Sequence, residues 1–66
     1  MNRLYDAKVA LEKVVRERGL DPIETAGKIS LKSGVLLAFV RVDTPDDPVK
    51  LEKVRAAVRQ LLGAEI

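Results

Sequence analysis

The 66 residues contain no cysteine and no histidine. Without cysteine there is no disulfide and no thiolate metal site. Without histidine the chain lacks the commonest metal ligand and the usual general base near neutral pH. Tryptophan is also absent, and Tyr5 and Phe39 are the only aromatic residues. Any core must therefore be built from Val, Leu, Ile and Ala. Stacking on single-stranded bases has no aromatic platform. The longest apolar run, Val35 to Val40, is six residues, far short of the roughly 20 that span a bilayer. Met1-Asn2-Arg3 leads directly into a charged amphipathic segment, unlike a signal peptide. The expected location is the cytoplasm, with no membrane partner.

No sign of charge dominates. Twelve basic and ten acidic residues give a net charge of +2, which neither demands nor forbids a nucleic-acid partner. The only side-chain amides are Asn2 and Gln60, a balance common in heat-adapted proteins. What the chain does have is 47% hydrophobic and 33% charged residues, a globular composition. The length allows a single domain, residues 1–66. A core of this size rarely supplies more than roughly 3–5 kcal/mol without a staple. With no disulfide and no thiolate or histidine metal site, oligomerisation is the staple that remains, along with unusually good packing.

Residues 3–18 read as a helix. Leu4, Ala7, Leu11, Val14 and Val15 recur at helical spacing. Asn2 is the expected N-cap, and Gly19 suits the left-handed position after the last turn. Tyr5 and Val9 fall on its polar side. Asp21-Pro22 then has the form of a helix start, but Gly27 follows soon, which predicts one connecting turn. Residues 28–32 alternate polar and apolar with Ile29 and Leu31 on one face, the pattern of a half-buried strand. Ser33-Gly34 supplies a turn, and 35–42 is rich in β-formers, so the expectation is an antiparallel hairpin. A continuous helix over 22–42 ranks second. Its apolar residues would point nearly all round, and two interior glycines would each cost about 1 kcal/mol relative to Ala. Asp43-Thr44-Pro45-Asp46-Asp47-Pro48 is a loop ending in an Asp cap and a Pro at the first helical position. A last helix over 48–62 follows, with Leu51, Val54, Ala57, Val58, Leu61 and Leu62 as its apolar stripe, and Gly63 stops it.

The expected fold class is α+β: a small α-β-β-α domain with the hairpin packed on two helices. In the second strand Leu36, Ala38, Val40 and Val42 occupy one face and Val35, Leu37 and Phe39 the other. Two helices do not readily cover both. Val35, Leu37 and Phe39 are therefore the expected self-association surface, with homodimerisation completing a larger sheet.

The chemistry-bearing residues form no strong constellation. Asp43, Asp46 and Asp47 match no cation-loop spacing, and helix capping accounts for them. Ser30 and Ser33 lack an ordinary activating base. Neither a metal nor an organic cofactor is expected. Lys50, Lys53, Arg55 and Arg59 share the last helix and could contact phosphates. The leading expectation is a non-catalytic, homo-oligomeric interaction or structural module, with itself as partner and another protein as a further one. The alternative is a modest-affinity nucleic-acid-binding homodimer that uses the basic face of the last helix. An enzyme is disfavoured; its footholds are a Ser-Lys pair with Lys28 or Lys32 and a dimer cleft lined by Arg41 and Asp43.

Overall fold

In the computed structural model, which describes residues 3–66, the chain folds as three α-helices: α1 (Arg3–Glu17), α2 (Pro22–Ser33) and α3 (Pro48–Leu62). A single 3₁₀ turn, Leu37–Phe39, lies between α2 and α3. No strand occurs among the described residues. The domain is all-α, and the expected hairpin over 28–32 and 35–42 does not form; nor does the larger sheet that a dimer was to complete.

The C-terminal end of α1 follows from its sequence. Gly19 takes φ +65°. The Leu20 N–H donates to Val15 O at 3.0 Å and the Gly19 N–H to Arg16 O at 3.2 Å, the paired bonds of a glycine-terminated helix. The expected Asn2 cap lies outside the described residues. Leu4, Ala7, Leu11 and Val15 are buried. Val14 is half-buried, and so is Tyr5, which packs against the core and does not stand on a wholly polar face.

α2 is where expectation and structure part. Asp21 Oδ1 accepts from the Glu24 N–H at 2.9 Å, and Pro22 opens the helix. The helix does not stop at Gly27 but continues through Ser33. There Gly34, at φ +74°, returns its N–H to Ser30 O. Gly34 is thus a terminator and not an interior residue, so its cost falls away. The apolar residues beyond 34 do not belong to the helix at all. Inside α2 the buried stripe is Thr25, Ile29 and Ser33, spaced by four. Two of its three members carry hydroxyls, so the stripe is faint to a hydropathy reading. Leu31, expected beside Ile29 on one buried face, points outward instead. In a helix, residues two apart do not face the same way.

The segment 34–42 is buried at three points, with Val35, Leu37 and Val40 in the core. Such a loop needs partners for its backbone. Ser33 Oγ accepts from the Val35 N–H at 3.1 Å, and Ser30 Oγ from the Leu37 N–H at 3.2 Å. Lys8 Nζ donates to Val40 O at 2.9 Å, tying the segment to α1. Thr44 closes the next turn: its Oγ1 accepts from the Arg41 N–H and its own N–H donates to Arg41 O.

α3 packs against both other helices and carries the centre of the core. Val54 and Val58 are fully buried, with Leu51 and Ala57 beside them. Asp47 Oδ1 accepts from the Val49 and Lys50 N–H groups, each at 3.1 Å. Asp47→Ala should lose about 1 kcal/mol and lower the Tm by about 4–8 °C in a domain of this size, as a thermal melt followed by circular dichroism would read. At the other end Gly63, at φ +63°, ends the helix. The tail turns back over it, with Ala64 buried and Ile66 O accepting from Arg55 Nε at 3.1 Å. Arg18 donates to Leu62 O, joining the ends of α1 and α3.

Candidate interaction surface

Because α1 and α2 both lean on α3, they meet each other only lightly. Between them runs an open groove of about 900 Å³, lined by α1, α2 and the segment after α2, with no residue of α3. Leu11 and Val15 of α1 line it, as do Ala26 and Gly27 of α2 and Leu37 and Ala38 beyond. Three large aliphatic side chains border the same groove and remain mostly in water: Ile23 at 85% exposure, Leu31 at 87% and Leu36 at 63%. Isolated exposed aliphatics are ordinary, but several gathered on one groove make it the candidate interaction surface.

Helix geometry explains the grouping. Ile23, Gly27 and Leu31 are spaced by four and lie on one side of α2, opposite Ile29. The polar groups on the groove wall are Lys8, Glu12, Arg16 and Ser30. Two of them already hold the fold together: Lys8 Nζ is bonded to Val40 O, and Ser30 Oγ to the Leu37 N–H. Among the described residues no cluster of three or more acidic, His or Cys side chains is placed to hold a metal ion.

The residues expected at a self-association surface are separated. Val35 and Leu37 lie inside the single-chain core, at 5% and 2% exposure, whereas Phe39 is exposed. A strand would have put all three on one face; the turn into a 3₁₀ helix sends the first two inward and the third outward. The surface that is exposed, Ile23, Leu31 and Leu36, was not apparent from the sequence. Continuing the helical period of α2 past Gly27 is the signal that would have found it.

The basic set on α3 is also divided. Arg59 is engaged by Glu52 at 3.1 Å and by Glu65 at 3.8 Å. Arg55 is half-buried and bonded to Ile66 O. Lys50 and Lys53 are exposed, and Lys53 lines a small cleft with Lys32, Ser33 and Gln60. The four residues do not form one open basic face. Arg41 and Asp43 stand exposed on the loop before α3 and do not line the groove.

Among the described residues no helix is long and apolar enough to cross a membrane. No protein-family model, curated protein or solved structure matches the chain.

Proposed function

We propose that this protein is a small, non-catalytic, self-associating interaction module of the cytoplasm, and that it binds a second copy through the groove between α1 and α2. The observation that carries the reading is the convergence of Ile23, Leu31 and Leu36 on one groove. Burying an aliphatic side chain of this size is worth roughly 1.5–3 kcal/mol. A 66-residue domain with no disulfide has little stability in reserve, so a partner that shields this surface adds to it substantially. The non-catalytic part of the reading is supported by the groove wall, where the Lys8 and Ser30 polar groups are already committed to holding the segment after α2.

Association must also offset lost translational and rotational freedom, about 4–15 kcal/mol. The expected dimer is therefore of modest strength, with a Kd on the order of micromolar. Light scattering on a sizing column tests this directly. At roughly 100 µM the particle should weigh twice the 7.3 kDa of one chain. On dilution to well below 1 µM it should fall toward one chain. A particle of one chain's mass at every concentration rules the proposal out.

A further inference from the structure

Gly27 lies halfway along α2, on its exposed side between Ile23 and Leu31. Unlike Gly19, Gly34 and Gly63, it does not have a positive φ. A Cβ built on it would meet nothing within 4 Å. Neither backbone conformation nor packing within the chain therefore calls for a glycine, although glycine weakens a helix interior relative to alanine. The residue borders the groove just where the helix surface is lowest.

We infer that Gly27 is the point of closest approach between two copies. In this pairing α2 of one chain lies antiparallel on α2 of the other, about a two-fold axis passing beside Gly27. The inference rests on the self-association proposed above and gives it a geometry. Three features fit a second copy in particular. Ile23 and Leu31 stand four residues either side of Gly27, so the two-fold reversal sets Ile23 of each chain against Leu31 of the other, a self-complementary contact. Glu24 and Lys28 lie together on one flank of this seam, ion-paired at 3.1 Å and about two-thirds exposed. Reversal brings each Glu24 alongside the other chain's Lys28, with opposite charges nearer than like ones. The available area is also of the right order. Ile23, Leu31 and Leu36 contribute roughly 300 Å² of aliphatic surface. The adjoining Ala26, Gly27 and Ala38 and the stems of Glu24 and Lys28 carry the patch toward the roughly 600 Å² per partner of a small specific interface.

Two substitutions test the inference. Gly27→Ala should raise the Tm of the dilute monomer by about 4–8 °C and at the same time weaken self-association by at least about tenfold, as sedimentation equilibrium would measure. Stability and association moving in opposite directions is the signature of a glycine kept for a partner. Gly27→Cys should give a disulfide-linked dimer on mild oxidation, because residues at the axis meet their own copies within the roughly 4.4–6.8 Å between Cα atoms that a disulfide spans. Lys13→Cys, on an exposed part of α1 away from the groove, should not. A wild-type dimer with Gly27→Ala associating normally, or with Gly27→Cys failing to cross-link, overturns the α2 pairing while self-association stands. A lower Tm for dilute Gly27→Ala also overturns it, since the glycine would then serve the chain's own fold. A wild-type protein that stays monomeric throughout overturns both.

Discussion

Ile29→Ala should unfold most of the protein, and Leu31→Ala, two residues away, should leave it folded. Ile29 is fully buried, whereas Leu31 is 87% exposed. Truncating a buried isoleucine to alanine costs about 2–5 kcal/mol, through lost transfer free energy and the cavity left behind. The upper part of that range equals the roughly 3–5 kcal/mol that a core of this size supplies. An exposed leucine is different. Alanine is at least as good a helix former, and surface changes stay within about 0.5 kcal/mol. Urea titrations of both variants, followed by circular dichroism below the association range, measure the contrast. The outcome also discriminates between folds. In a hairpin the two residues share one buried face, and both substitutions would be severe. Equal losses would contradict the helical assignment of 22–33.

The double variant Ile23→Glu/Leu31→Glu should abolish self-association and leave the monomer intact. Both side chains stand in water in the single chain, so charges there are solvated and cost the monomer little. In a paired state two added carboxylates per chain would face two more across the axis, desolvated and repelling. The expected loss is at least about a hundredfold in affinity. The readouts are the mass from light scattering at high concentration and the Tm of the dilute monomer. A variant that still dimerises would place the interface elsewhere. Phe39 and Val42, exposed outside the groove lining, would then be the next residues to replace.

Much of the local structure is legible in the residues. The end of α1 at Gly19 and both ends of α3, at Asp47-Pro48 and Gly63, are chemical signals that operate within one turn of helix. The start of α2 at Asp21-Pro22 is equally plain. Its continuation was obscured because Gly27 looks like a stop and residues 28–32 alternate as a strand would. The buried stripe Thr25-Ile29-Ser33 is also too polar to announce itself. A hydroxyl is expensive to bury until it has a partner. The Val35 and Leu37 N–H groups that satisfy Ser33 and Ser30 come from chain further along.

The same dependence governs the candidate surface. Composition determined that the core is aliphatic and that disulfide, thiolate and histidine chemistry are excluded, and local motifs marked the end of α1, the start of α2 and both ends of α3. Only the tertiary structure decided which apolar residues were left over. Val35 and Leu37 are buried because the segment after α2 turns into the core, and Ile23, Leu31 and Leu36 are exposed because α1 and α2 lean on α3 and leave a groove between them. Helix caps act through bonds to neighbouring residues, so the chain encodes them locally. Burial depends on how whole elements pack, and for an aliphatic side chain nothing in its own neighbourhood states which side it will find covered.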